Sequence, residues 1–405
     1  MSNSVMPAAI RPTSRQLAWQ VGIATLSRLS LNTSRRFPYA FAPALGRGLG
    51  VPLTAITSLI AINQATGVFS PFFGPLSDRW GYRFMMLAGL MMFAVGMLTA
   101  GLLPFYGVLI VAVCLAGLGK SLYDPALHAY VGERVPYERR GLVIGMIEFS
   151  WAGSSLVGIP LAGLFIEWLG WQSPFLILGG LGLVGTAILA ALIPVEFSRQ
   201  SKPTASTGFM EAWRELRREP AALSAVAFGF LATLANDNLF VIYGVWLEDT
   251  FALSVALLGA ATIVIGVAEL IGEILTASIA DRLGLKRAVI IGLALTTLSY
   301  LLLPSSAQNL PLALTSLFAI FLIFEFTIVT SISLFTEVVP AARATLLSAC
   351  VAASGLGRFV GALIGGPIWL TGGLIATSIV SAAISGLALA CLLWGLRSWR
   401  NSGLS

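Results

Sequence analysis

Apolar residues in this chain gather into long runs separated by short polar turns. A helix that crosses a bilayer needs about 20 apolar residues. Runs of that length occur at roughly 17–41, 54–76, 83–103, 106–130, 141–166, 173–194, 221–247, 255–280, 287–304, 310–337, 344–370 and 375–396. The pattern predicts an all-α membrane protein with twelve transmembrane helices. Proline and glycine punctuate the turns, as at Pro52, Pro104, Gly170, Pro174, Pro304 and Pro311, where a helix loses a donor or its stiffness. A single long polar stretch, 195–220, divides the chain into residues 1–194, a linker, and residues 221–405. Inside the linker, 209–218 has the spacing of an amphipathic helix lying on the membrane surface, and a plain tether is the competing reading.

The turns also carry a repeat. Gly74-Pro-Leu-Ser-Asp-Arg-Trp-Gly-Tyr-Arg83 is echoed by Ala277-Ser-Ile-Ala-Asp-Arg-Leu-Gly-Leu-Lys286 at an offset of 203. That offset pairs Asp78 with Asp281, Arg79 with Arg282, Gly81 with Gly284 and Arg83 with Lys286. It also pairs Arg140 with Arg343, Gly158 with Gly361 and Gly163 with Gly366. A chain that repeats itself at half its length predicts two pseudo-symmetric six-helix bundles.

Composition narrows the class. The 405 residues are 57% hydrophobic and 10% charged, with mean hydropathy +0.89, values outside the range of a soluble chain of this size. The net charge of +6 is dispersed rather than striped, so it points to membrane orientation and not to nucleic acid. With the N-terminus inside, the cytoplasmic side holds Arg11, Arg15, Arg79, Arg83, Arg134, Arg139, Arg140, Arg199, Lys202, Arg214, Arg217, Arg218, Arg282, Lys286, Arg287, Arg343, Arg397 and Arg400, and the other side holds Arg47. Both termini and the linker are therefore expected in the cytoplasm, and residues 1–14 lack the cleavage site of a signal peptide. Cys114, Cys350 and Cys391 are scattered through apolar runs, which predicts no disulfide framework and no zinc site. A single histidine, no metal-ligand cluster and no phosphate-cradling loop exclude an enzyme, and no cofactor is expected.

The chemistry lies in charges that an apolar run should not tolerate. Arg28, Arg35, Arg36, Lys120 and Arg358 are joined there by Asp124, Glu148, Asp237, Glu269, Glu273 and Glu325. Such residues face one another or a water-filled cavity, and the near balance of sign predicts paired networks. On the first run Arg28, Asn32 and Arg35 share a face with Arg36 at its margin. Arg28 lies too deep to reach the interface, whereas Arg35 and Arg36 either line the cavity or snorkel outward. Lys120, Asp124 and His128 recur at i, i+4 on the fourth run, either as a locked pair or as one that protonation of Asp124 would open. Glu148, Trp151 and Ser155 share a face of the fifth run. A desolvated carboxylate is a candidate proton carrier, which singles out Asp124, Glu148 and Glu325; lasting pairs of Glu148 or Glu325 with Arg28 or Arg358 are the alternative. Glu269 and Glu273, within reach of Asp281 along one helix, are expected to link to a gate. The substrate contacts expected are Arg28, Asn32, Arg36, Lys120, Asp124, Asp237 and Glu325.

The two signature turns, the twelve runs and the central linker resemble the major facilitator superfamily of transporters. The resemblance covers the whole chain. It implies two six-helix bundles around a central cavity lined by helices 1, 4, 7 and 10, with alternating access to a site near the midplane. It also implies a gate built from Asp78, Arg79, Arg83, Arg140, Asp281, Arg282 and Arg343. Gly153-Ser-Ser-Leu-Val-Gly158-Ile-Pro160-Leu-Ala-Gly163 in the fifth run is similar to the glycine-rich motif of the drug:proton antiporter branch. Its glycines allow close helix approach and its proline is expected to bend the helix. The chain departs from that branch in reading Gly-Ile-Pro and in carrying Val113 near where the branch has an arginine. The expected function is proton-coupled export of a small organic solute, an organic anion or a zwitterion, by a monomer in a bacterial inner membrane. Proton-coupled uptake is the alternative, followed by a sensor on the same fold. The expected partners are the substrate, protons and the lipid bilayer.

Overall fold

The computed structural model describes residues 14–194 apart from 71, 72, 74, 75, 78 and 79, together with 219–339 and 343–397. Most of the linker, both chain ends, Asp78 and Arg79 lie outside the described residues. Every regular element among the described residues is helical.

The first span, Ser14–Ala40, continues past Pro38 into Ala42–Leu49, because Phe41 N–H donates to Phe37 O at 3.1 Å and Leu45 N–H to Phe41 O at 2.9 Å. Gly50, at φ +66°, then turns the chain through 114° into the second span, Leu53–Ala65, which ends in the tight turn Thr66–Phe69. Tyr82–Leu102, Tyr106–Arg134 and Ser173–Leu192 are the third, fourth and sixth spans. The fifth runs from Tyr137–Gly153 through a π-turn at Ser154–Gly158 into Ile159–Leu169. The seventh is Pro220–Phe240 followed by Tyr243–Phe251, and the eighth to tenth are Val255–Leu283, Leu285–Leu302 and Leu310–Val338. Ser254 and Asn309 cap the eighth and tenth spans by accepting from Leu257 N and Leu312 N.

Arg343–Gly395 is a single helical stretch of 53 residues. At 1.5 Å per residue it would be about 80 Å long, far beyond a membrane of about 30 Å. Gly373, at φ 57° and ψ −148°, breaks it, so it holds the eleventh and twelfth spans. Among the described residues nine helices are long and apolar enough to cross a membrane alone, or ten when Leu53–Phe69 is counted together with Ala42–Leu49 across the bend. The first span falls outside that set because Arg28, Asn32, Arg35 and Arg36 dilute its apolar content. Adding it, and dividing the last stretch, restores the twelve spans of the sequence pattern.

The spans form two six-helix bundles. Within the first, a Cβ at Gly89 would come within 2.6 Å of Gly119 O, so the third and fourth spans touch backbone to backbone, which only glycine permits. The bundles meet along the fifth and eighth spans, where a Cβ at Gly266 would lie 2.9 Å from Ser155, and along the second and eleventh, where one at Gly366 would lie 2.8 Å from Thr57. The perimeter is apolar: Leu102, Val111, Leu142, Ile274, Leu302 and Ile375 are all more than half exposed, as lipid-facing side chains are.

The repeat is visible in the backbone. Gly81 (φ 85°, ψ 143°) and Gly284 (φ 82°, ψ 125°) share a conformation that a side chain disfavours. Two residues later, Arg83 Nη2 donates to Ala190 O at 2.6 Å, and Lys286 Nζ donates to Leu396 O. In each bundle the basic residue of the signature turn thus satisfies a carbonyl at the end of the sixth helix, where carbonyls lack helical partners.

Candidate functional site

The deep charges gather at the contact of the two bundles in three linked groups. The first joins the first, fourth and fifth spans. Lys120 Nζ lies 2.6 Å from Asp124 Oδ2 and donates to Asn32 Oδ1 at 2.6 Å. Arg28 Nε is 3.2 Å from Asp124 Oδ1, and its Nη1 is 3.1 Å from Glu148 Oε2. Arg28 also donates to Ile147 O at 3.0 Å, Asn32 Nδ2 donates to Ser150 Oγ at 3.1 Å, and His128 Nε2 is 3.0 Å from Glu148 Oε1. The fourth helix supplies the i, i+4 register that lets Lys120 and Asp124 meet. The pair is not isolated, however, because Arg28 holds the second carboxylate oxygen. Two cations therefore neutralise two carboxylates in one network.

The second group crosses between bundles. Arg36 grips Glu269 with both terminal nitrogens, Nη2 to Oε1 at 2.6 Å and Nη1 to Oε2 at 3.0 Å. Its guanidinium lies 4.5 Å from the Trp151 ring centre and 5.5 Å from that of Phe240. Arg36 does not snorkel to the interface, since paired burial satisfies it. Nor does Glu269 reach toward a gate; its helix turns it to the first bundle instead.

The third group is Gln64, Tyr39, Asp237 and Arg358. Gln64 Nε2 donates to Tyr39 Oη, and Tyr39 Oη donates to Asp237 Oδ1, both at 2.7 Å. Arg358 Nη1 is 3.5 Å from Asp237 Oδ2. Tyr39 stacks on Phe240 at 4.4 Å, and Phe240 packs against Tyr243 and Phe321, forming an aromatic wall beside these polar groups.

Exposure is graded through the site. Side chains of Arg36, Glu269 and Asp237 are 2%, 5% and 0% exposed, against 21% for Asp124, 36% for His128 and 40% for Glu148. At the opposite end from the signature turns the bundles are tied by Arg47–Glu248 at 2.6 Å and by Ala256 N–H donating to Glu167 Oε2 at 2.9 Å. The more exposed members of the site, Asp124, His128 and Glu148, belong to its first group.

The structure brings together Arg28, Asn32, Lys120, Asp124 and Glu148 of the sequence-predicted residues, and places Arg36 and Asp237 on partners across the bundle contact. Glu325, half-buried on the tenth span, makes no hydrogen bond or ion pair among the described residues; a Cβ at Gly272 would lie 2.9 Å from its Cβ, which sets it against the eighth span. In the gate set, Arg140 donates to Val135 O at 3.4 Å, while Asp281, Arg282 and Arg343 are exposed. In the fifth span Pro160 is the second residue of Ile159–Leu169, directly after a π-turn at Ser154–Gly158. The π-turn before it supplies an extra residue where the proline withholds its N–H. Tyr39, Gln64, Ser150 and the pairing role of Glu269 were missed by sequence reasoning. Tyr39 and Gln64 lie in apolar runs near charged positions, which is the faint signal they offered.

Twelve spans in two bundles around a charged central site define a membrane transporter. Residues 24–236 and 225–402 each match the family model of the Major Facilitator Superfamily, and the chain belongs to that family. It is 28% identical over 311 residues to a Bacillus subtilis protein described as an uncharacterized MFS-type transporter, YceJ, covering 77% of this chain and 78% of that one. It is 24% identical over 287 residues to a multi-drug resistance efflux pump PmrA homolog of Lactococcus lactis, covering 68% and 69%. Among solved structures it resembles a bacterial homolog of the human lysosomal transporter Spinster, with a TM-score of 0.75 at 14% identity over 96% of this chain and 98% of that one. It also resembles the nucleoside transporter NupG, with a TM-score of 0.77 at 13% identity over 94% and 100%. The chain is a multi-pass membrane transporter and not an enzyme.

Proposed function

We propose that the protein exports a small organic solute from a bacterial cell in exchange for protons, as a monomer in the inner membrane. The observation that carries this reading is the state of Glu325. Asp124, Glu148, Asp237 and Glu269 are each tied to a cation, whereas Glu325 and its neighbour Glu273 have no hydrogen bond or ion pair among the described residues. A carboxylate without a bound cation can take up and release a proton without breaking a pair. Asp124 and Glu148 are the second candidates, because protonating either would release Lys120 or Arg28.

Arg28, Asn32, Lys120, Asp124 and Glu325 form the substrate face of this reading, while Arg36 and Asp237 tie the bundles. Asp78, Arg79, Arg83, Arg140, Asp281, Arg282 and Arg343 act in the gate at the opposite end from Arg47. The bundles are residues 1–194 and 221–405, joined by a cytoplasmic linker at 195–220, with both termini inside. Export is favoured by the similarity to a protein described as a multidrug efflux pump. The test is purified protein in sealed vesicles with an imposed pH gradient, offered labelled organic cations, anions and zwitterions. At least one should accumulate against its gradient while the proton gradient lasts. Uptake indifferent to pH for every solute would remove proton coupling.

A further inference from the structure

Among the described residues, the central site holds five cations and six carboxylates within the apolar spans. Four of the cations are spoken for: Arg28 by Asp124 and Glu148, Lys120 by Asp124, Arg36 by Glu269, and Arg358 by Asp237. Arg35 is the remaining one. Its Nε donates to Gln64 Oε1 at 2.8 Å and its Nη2 to Gln64 O at 3.5 Å, both neutral acceptors. On the acidic side Glu325 and Glu273 remain. The first bundle therefore presents an uncommitted positive charge and the second an uncommitted negative one. Arg35 is linked through Gln64 and Tyr39 to Asp237, the partner of Arg358, and Glu325 packs against the eighth span beside Gly272, one turn from Glu269, so each pole adjoins a group that ties the two bundles. Trp151 lies between the bundles, with Arg36 at 4.5 Å and Arg358 at 5.8 Å from its ring centre.

We propose that the transported solute is a zwitterion whose anionic group meets Arg35 and whose cationic group meets Glu325, bridging the bundles. This rests on reading the central site as the transport site. A charge left unpaired when the bundles close around it is costly in a low-dielectric setting. A simple cation would pair Glu325 but leave Arg35 bare. A simple anion would pair Arg35 but leave Glu325 without a counter-charge. Only a molecule with both charges neutralises the two poles together, and bridging them gives the substrate a direct hold on both moving bodies.

The test measures binding to the purified full-length protein, by thermal shift and by tryptophan fluorescence, without any gradient. The probes are two matched sets: phenylalanine, 3-phenylpropionate and phenethylamine; and 6-aminohexanoate, hexanoate and hexylamine. At least one zwitterion should bind roughly tenfold or more tightly than the single-charge members of its set. Arg35→Gln should reduce that zwitterion to the affinity of the amine, and Glu325→Gln to that of the acid. Arg35→Lys and Glu325→Asp keep the charges, should retain the preference in part, and separate loss of recognition from loss of folding. Equal binding of the amine with Arg35→Gln silent would overturn the proposal, as would equal binding of the acid with Glu325→Gln silent. Absence of a shift with either zwitterion would overturn it as well. Because no gradient enters, failure of proton coupling leaves this result standing, and a positive flux assay with a simple cation would sink this inference alone.

Discussion

Arg36 and Glu269, on helices of different bundles, make a two-armed contact of 2.6 and 3.0 Å in which neither side chain is more than 5% exposed. Removing one member of a buried pair strands the other charge, at a cost of about 3–5 kcal/mol. Arg36→Gln or Glu269→Gln alone should therefore lower the melting temperature of the purified protein markedly. Replacing both by Met and Leu should recover most of the stability while impairing transport, because the tie between moving bodies is gone. Thermal unfolding of the single and double variants decides this. Equal losses that simply add would mean the pair is not coupled.

The carboxylates should separate by whether they are tied. Glu325→Gln removes no hydrogen bond or ion pair, so stability should stay within about 0.5 kcal/mol. On the antiport reading it should abolish pH-driven accumulation, with exchange between equal substrate pools persisting at a weakened substrate affinity. Asp124→Asn takes one charge from between Lys120 and Arg28, and should cost stability as well as coupling. If Asp124→Asn, Glu148→Gln and Glu325→Gln all kept full acceleration by a pH gradient, facilitated diffusion or another ion would replace the proton.

The Arg47–Glu248 bridge has an arginine that is 60% exposed, and exposed pairs contribute about 0–1 kcal/mol. Glu248→Gln should thus leave stability nearly unchanged. On the alternating-access reading it should still shift the balance between the two faces, because opening that end would break this contact. Spin labels at Trp168 and Asp249 report the opening, and a distance distribution identical to the parent's would count against a gating role.

The signature turns should be sensitive at their glycines. Gly81→Ala and Gly284→Ala each force a Cβ into a positive-φ conformation, at about 1–3 kcal/mol apiece, and both should reduce folded yield in a size-exclusion assay. Asp78→Asn is expected to cripple transport with folding intact. Asp281→Asn is expected to be milder, since its copy of the signature lacks the leading glycine.

Orientation is checked by labelling. In a cysteine-free background, Asp249→Cys should react with an impermeant maleimide added to sealed cells, and Ser206→Cys in the linker should not. Labelling of the linker under those conditions would invert the topology.

The sequence by itself determined the number of spans, their approximate limits and the two-bundle repeat. These follow from the length of apolar chain that a bilayer demands and from an offset that holds across seven residue pairs. It also placed Lys120 and Asp124 side by side, because contact at i, i+4 is a property of a single helix. It did not reveal the continuation of the first span to Leu49 or the π-turn before Pro160, because each depends on local hydrogen bonds that composition does not encode. Least legible was the choice of partners. Arg36 and Glu269 stand 233 positions apart, as do Tyr39 and Asp237 at 198, and nothing along one helix says which face of another it will meet. Only the packing of the two bundles decided that Arg28 joins Asp124 and Glu148, that Arg358 goes to Asp237, and that Arg35 and Glu325 are left over. Charge pairing is settled by distance in space, and in a chain of twelve helices that distance belongs to the tertiary structure.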